Sequence, residues 1–421
     1  MCLGLPASHN VALFRFTSLP APHITSRMEN PYTPGPGAVP RELVGRDGIR
    51  KAFSSLLEGL ERGQPQKSQL VSGLRGVGKT VLLREFVTTA RSHRWAIIDI
   101  DAARRDDQGF RRQLAFEFRS ALLAVSPRSR WKPKAISASG VLGAFSSSLG
   151  VHNPLTAEWT ELATGTADTG TLSTDLTAMI LALGEAAQEH GTGVVLVVDE
   201  VHRLTIRQLG ALIDSLHRTY LRELPITLVG AGLPRSDAIA AETQVRANRL
   251  FEFPVLGGLP ETDAATLLRG SLEWDDDAIA AAVAITGAIP SFLQTLGHVA
   301  WADDGDTRVT SLTVEKLRQT YEHSVDTDFF GKKLTRAKEL ELAYLRAIAD
   351  APEEAETARL LGRTSHQCAD TRSDLIEKDW IYLRADGAAA FTAPGFEEHL
   401  RRAMPSLVVP AQKQRRRRYD P

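Results

Sequence analysis

The string Gly73, Leu74, Arg75, Gly76, Val77, Gly78, Lys79, Thr80 constrains this chain more than any other feature. An apolar run at 69–71 precedes it, and Val81, Leu82, Phe86 and Val87 follow at the spacing of one helical face. A strand, a glycine-rich turn and a helix in that order make a phosphate cradle. Glycine lets the backbone turn its N–H groups inward, and the helix adds its positive N-terminal end. Lys79 then reaches the outer phosphates, and Thr80 offers the hard oxygen that Mg2+ prefers. The expected ligand is ATP with Mg2+, held by all eight residues of the loop.

A second string, GVVLVVDEVHRL, is an apolar strand that ends in Asp199 and Glu200. Alone, an acidic pair after a strand is commonly a solvated helix cap. Downstream of a phosphate cradle it reads differently: Asp199 holds Mg2+ through water, and Glu200 polarises the attacking water as a general base. No Asn-Lys-x-Asp or Thr-Lys-x-Asp string follows to recognise guanine, which favours ATP over GTP.

The 421 residues suit two or three domains, and 43% hydrophobic with 24% charged residues is ordinary for a soluble globular chain. A net charge of -1 gives no global drive toward nucleic acid or membrane, so any basic surface is local. Cys2 and Cys368 are too few for a disulfide framework or a zinc site, which makes a reducing cytoplasm the expected compartment. No apolar run approaches the roughly 20 residues of a membrane helix. The early stretch VALFRF is interrupted by Arg15 and makes a poor signal peptide, and Met28 is an alternative start.

Residues 1–40 are proline-rich and aperiodic, and read as a flexible N-terminal arm. From there a helix at 46–62 leads into five expected strands, at 69–71, 95–100, 194–198, 226–229 and 250–255. Helical stretches at 80–93, 109–125, 171–190 and 205–221 lie between them. The alternation predicts an α/β fold with a mainly parallel sheet covered on both faces, spanning 41–259. Residues 126–170, rich in Ser, Gly, Ala, Thr and Pro, have the composition of a mobile insertion. After Leu259 the strands are expected to stop, and helices at 262–270, 275–286, 291–300 and 312–326 form a small lid within 260–333. Helices at 335–349, 353–361 and 365–378, then strands at 381–384 and 389–392 around Asp386 and Gly387, predict a winged helix-turn-helix over 334–404. A basic tail, 405–421, completes the chain.

In these elements the sequence resembles the AAA+ P-loop ATPases of the origin-recognition-like kind that carry a C-terminal winged helix, over roughly residues 38–404. Beyond the two motifs, LVGRD near the start, VGAGLP on the fourth strand and the ending FTAPGFEEHL carry the resemblance. It implies that Val44, Gly45 and Arg46 lie near the adenine. It also implies a polar sensor at the end of the fourth strand, where Gly230 to Gly232 have no side chain for the task and Thr227 sits at the wrong end. The lid segment GAIPSFLQTLGHVA lacks the family's arginine and offers Gln294 instead. Arg249, and less well Arg246, stands where such proteins present an arginine finger to a neighbouring subunit, which would make a homo-oligomer. The competing reading of Arg249 is an ion pair with Glu242 or Glu252.

The helix at 365–378 carries Arg363, Arg372 and Lys378 against Asp370, Asp374, Glu377 and Asp379, too mixed to announce a DNA-reading surface. His366, Gln367 and Arg372 are its candidate groove readers, and a protein partner fits equally well. In the tail, Arg415, Arg416, Arg417 and Arg418 beside Tyr419 make a local anchor for a phosphate backbone, or simply a solvated end. Two functions fit: a slow ATPase acting as a nucleotide-dependent switch for DNA or a protein partner, and a nucleotide-dependent binding module with little or no hydrolysis.

Overall fold

The computed structural model describes residues 30–411, apart from 36, 39, 41–42, 104–105, 152–162, 235–246, 271, 304–307 and 332–333. Strands β1 (Ser68–Gly73), β2 (Ala96–Asp101), β3 (Val194–Asp199), β4 (Ile226–Gly232) and β5 (Phe251–Glu252) lie in the order β2-β3-β4-β1-β5. β6 (Val255–Leu256) also pairs with β1, and every pairing in this sheet is parallel. The single run expected at 250–255 is therefore two short strands. Pro254, which has no N–H to give the ladder, lies between them and accepts from the Ser72 N–H instead.

The strands are buried on both faces. Val195 and Val197 of β3 join one core, with Phe53 and Leu57 of α1 (Asp47–Glu61) and Leu82 and Phe86 of α2 (Lys79–Ser92). Val194, Leu196 and Val198 join the other core, with α3 (Asp107–Val125), α4 (Pro133–Ser148), α5 (Leu172–Glu189) and α6 (Ile206–Leu221). This two-residue alternation, with apolar side chains on each face, is what a doubly covered parallel sheet requires.

The composition of 126–170 misleads over α4. Residues 133–148 form a helix packed on α3 and α5, with Phe145 wholly buried. Its Ala, Ser and Gly side chains are small enough for neighbouring helices to approach closely, which is why it looks loop-like in composition and behaves as core.

Past β6, helices α8 (Glu261–Arg269), α9 (Asp276–Thr286), α10 (Pro290–Ala302) and α11 (Ser311–Val325) pack together, after a short α7 (Ala247–Leu250) ahead of β5. Strands do not stop after Leu259: β7 (Glu273–Trp274) and β8 (Arg308–Val309) form a small parallel pair. Part of the N-terminal segment is fixed. Tyr32 is 4% exposed, packs its ring against Gly297, donates its hydroxyl to Leu268 O and accepts from Trp274 Nε1.

The C-terminal part comprises α12 (Glu339–Asp350), α13 (Glu354–Leu360), α14 (Ser365–Glu377), an antiparallel hairpin of β9 (Ile381–Leu383) and β10 (Ala389–Phe391), and α15 (Phe396–Ala403). Thr364 caps α14 through a reciprocal bond with Gln367, and Gly387 turns the hairpin at φ +83°. The helix α15 is additional to the expected elements. The tail 412–421, with its four arginines, lies outside the described residues.

Candidate nucleotide-binding site

Parallel pairing brings the carboxyl ends of β1, β3 and β4 to one edge of the sheet, where ligands of open α/β sheets collect. The loop from Gly73 to Thr80 leaves β1 there and enters α2. Gly76 at φ +85° and Gly78 at φ +95° hold left-handed backbone that a side chain would strain. Lys79 Nζ, at the start of α2, donates to Gly73 O and Leu74 O, both at 2.8 Å, and so closes across the loop. Burial pushes its ammonium down to about 8, against the pull of Asp199 and Glu200.

Thr80 Oγ1 donates to Asp199 Oδ2 at 2.7 Å, which unites the two motifs across the β1 and β3 ends. Glu200 follows in left-handed backbone at φ +51°, its N–H bonded to Asp199 Oδ1. Its carboxylate lies 3.2 Å from Arg203 Nη1 and 3.9 Å from Arg75 Nη2. On β2, burial and the nearby charges of Asp199 and Asp101 raise the Asp99 carboxyl above the usual range. The edge thus offers a cationic loop on β1 facing carboxylates on β2 and β3, a layout suited to phosphates bridged by a divalent cation.

The fourth strand has no polar sensor. A Cβ on Gly230 would fall 2.5 Å from Leu70 Cδ2 and 2.7 Å from Val201 Cγ2, so packing itself excludes a side chain. Thr227, at the opposite end of the strand, is buried against Ser68 Oγ. Gln294 of α10 accepts from the Thr33 N–H at 2.9 Å and so anchors the N-terminal segment. The start of α10 nevertheless reaches the loop, with Ser291 N–H donating to Gly76 O.

Of the expected base-pocket residues, Arg46 stands directly before α1. It is 9% exposed and donates to Val77 O and Gly257 O, bracing the phosphate loop against the segment that leads to α8. Gly45 turns beside Asp263 at φ +71°, and Val44 packs partly buried on the core. Arg249, on α7, is exposed just before β5, which pairs with the first residues of β1. That is the far end of the sheet from the loop. Its rival partner Glu252 pairs with Lys67 at 2.9 Å, while Arg246 and Glu242 lie outside the described residues.

Sequence reasoning missed a further contact. The C-terminal part touches the phosphate loop directly: the Arg75 N–H donates to Thr392 O at 2.8 Å, and Asp379 Oδ2 lies 3.5 Å from Arg75 Nη2 and 3.1 Å from Arg203 Nε. The sequence signal for it was His202 and Arg203, one residue past the acidic pair.

Residues 42–229 match the family described as AAA ATPase domain, and residues 327–400 match a domain of unknown function, DUF8462. No curated protein matches the sequence. Among solved structures, a Walker-type ATPase of Pyrococcus abyssi is similar at 18% identity and a TM-score of 0.53, covering 88% of this chain and 99% of that one. The RuvB Holliday junction branch migration motor of Thermotoga maritima is 15% identical over 85% of this chain and 95% of its own, with a TM-score of 0.41. The Aeropyrum pernix ORC1 protein in complex with DNA is 17% identical over 86% and 94%, also at 0.41. The parallel-sheet core lies within the stretch that matches the AAA ATPase domain, and its fold is similar to that of the Walker-type ATPase. No helix among the described residues is long and apolar enough to cross a membrane.

Proposed function

We propose that this protein binds ATP with Mg2+ and hydrolyses it slowly, acting as a nucleotide-dependent switch. The observation that carries the reading is the Thr80–Asp199 hydrogen bond, which joins the phosphate loop to the acidic end of β3 within reach of Lys79 and Glu200. Backbone N–H groups of the loop and the α2 N-terminus receive the phosphates, and Lys79 neutralises their outer oxygens. Thr80 and Asp199 would hold Mg2+, which supplies charge neutralisation at the phosphates. Glu200 orients and deprotonates the attacking water. The glycine-lined end of β4 and an α10 without arginine leave that water poorly positioned, which supports slow turnover.

In this reading, residues 41–259 bind the nucleotide, 260–333 form the lid and 334–404 are a winged helix-turn-helix that carries the output. Its partner is a protein more readily than DNA. The exposed side chains along α14 include His366, Gln367, Asp370, Ser373 and Glu377, while Arg372 is paired with Glu354 and Lys378 with the buried Glu341. Such a face repels a phosphate backbone. DNA contact would then fall to the arginine tail. Purified protein should bind Mg·ATP with an affinity that Lys79→Ala abolishes; full affinity in that variant would refute the site. Single-turnover hydrolysis distinguishes the switch from a binding module with little or no hydrolysis: Glu200→Gln should slow the former at least a hundredfold, on the scale of general-base loss, and leave the latter unchanged.

A further inference from the structure

Asp379 belongs to the C-terminal part, two residues beyond the end of α14, yet its carboxylate is enclosed by the nucleotide site. The residue is 4% exposed, in left-handed backbone at φ +56° that costs energy in any residue with a side chain. Three groups meet it. Arg203 Nε lies 3.1 Å from Oδ2, Arg75 Nη2 lies 3.5 Å from the same oxygen, and His202 Nε2 lies 3.2 Å from Oδ1. His202 Nδ1 accepts from the Leu233 N–H just past β4, which leaves the ring proton on the side of Asp379. Burial alone would raise this carboxyl, but His202, Arg203 and Arg75 outweigh it and hold it below the usual range. Thr392 completes the junction: its hydroxyl donates to Asp379 O at 2.7 Å while its own carbonyl receives the Arg75 N–H.

These partners are the ones that a terminal phosphate disturbs. Arg75 is inside the phosphate loop, His202 and Arg203 follow the acidic pair, and Leu233 comes directly after the strand that lacks a sensor side chain. Both guanidiniums are shared between Asp379 and Glu200. The four charges therefore balance, two cations against two carboxylates. Arg75 also keeps a buried Nε without a hydrogen-bond partner among the described residues, so it has capacity for another acceptor. A triphosphate brought against Lys79 and Glu200 adds several negative charges beside this balanced set, and it competes for the same guanidiniums. A buried carboxylate that loses its cations pays a large desolvation cost, so the C-terminal part gives way rather than the phosphate.

We infer that Asp379 and the terminal phosphate of ATP compete for Arg75 and Arg203, so that Mg·ATP binding releases the C-terminal part from the ATPase core. This rests on the ATP reading above and supplies the sensing step that β4 cannot. Coupling between two sites is reciprocal: a ligand that weakens docking binds more tightly once docking is weakened by other means.

The test is hydrogen exchange on the full chain with Mg·ATPγS, with Mg·ADP and without nucleotide, alongside nucleotide titrations of the same samples. In the wild type, backbone amides of residues 376–396 should exchange faster with ATPγS than with ADP or with no ligand. Asp379→Asn should exchange fast there without nucleotide and bind ATPγS roughly 5- to 150-fold more tightly, the range of ordinary allosteric coupling. If that variant does not fold, Arg203→Gln must loosen the same amides. ATPγS that binds while leaving the exchange of 376–396 unchanged overturns the competition. So does an Asp379→Asn protein with wild-type affinity. A wild type that binds no nucleotide refutes the ATP reading itself and takes this inference with it.

Discussion

The Thr80 hydroxyl donates to Asp199 Oδ2 across 2.7 Å, so the proposed metal ligand and the carboxylate that would hold the metal's water already face each other. Thr80→Ala and Asp199→Ala should each remove the Mg2+-dependent part of ATP affinity and leave metal-free binding to the loop nearly intact. Titrating a fluorescent ATP analogue with Mg2+ and with EDTA separates the two. Equal Mg2+ enhancement in the wild type and in both variants would place the metal elsewhere.

Lys79 makes nucleotide affinity depend on pH. Burial lowers its ammonium from 10.5 to about 8 in the ligand-free protein, and phosphate binding requires the charged form. ATP affinity should therefore be flat below about pH 7 and fall as pH rises through 8, by up to about tenfold per unit. The effect on folding has the opposite sign. The unfolded chain keeps this proton up to 10.5, so the Lys79 contribution to stability rises with pH between about 8 and 10.5. Lys79→Ala should accordingly raise the ligand-free melting temperature near pH 7 while abolishing ATP binding.

Phe145 tests whether α4 belongs to the core. Wholly buried among helices, it should cost about 3–5 kcal/mol on conversion to alanine, because the cavity adds to the lost transfer energy. Chemical denaturation measures this directly. A loss under about 0.5 kcal/mol would mean that 133–148 is the loose insertion its composition suggests.

What was legible in the sequence follows from how local its causes are. The phosphate loop, the acidic strand end and the alternation of strands with helices are written in contiguous residues, and β1 to β4 appear where the apolar runs lie. The α14 cap at Thr364 and the hairpin turn at Asp386 and Gly387 are equally local. Pro254 splits the last strand for a reason visible in its own chemistry. By contrast, α4 depends on small residues meeting small residues of other helices, which composition scores as loop. Tyr32 is fixed by Leu268, Trp274 and Gly297, all more than 200 positions away. Asp379 is the extreme case: its meaning lies in Arg75, His202 and Arg203, and within its own segment it only added to a count of acidic residues.

Arg111 of α3 and Asp175 of α5 form a deeply buried ion pair, 2.9 Å apart with side chains 6% and 0% exposed. Asp175 also accepts from the Thr169 N–H and hydroxyl, and Arg111 donates to Gly170 O. Asp175→Ala takes away the buried partner of the Arg111 guanidinium, leaving it the half-exposed Asp107 at 3.0 Å, and should cost about 3 kcal/mol, whereas a paired Arg111→Met, Asp175→Leu replacement should recover much of that. Urea midpoints of the three proteins decide the matter; a double variant as unstable as the single would show that the pair itself, rather than charge satisfaction, holds α3 to α5.

Arg249 cannot serve its own active site, because it lies exposed ahead of β5, at the end of the sheet opposite the phosphate loop. An arginine finger from this position acts only on a neighbouring copy. Two consequences follow from that geometry. Specific activity should rise with protein concentration, and Arg249→Ala should lower the maximal rate by roughly a thousandfold with little change in ATP affinity, the range reported by finger removal in phosphoryl transfer. Mixing provides the sharper measurement. Arg249→Ala subunits keep an intact loop, Lys79→Ala subunits keep the arginine, and each alone is inactive; together they should regain activity at interfaces that pair one loop with one arginine. Concentration-independent hydrolysis that survives Arg249→Ala would assign this arginine to the surface and make the slow ATPase a property of the single chain.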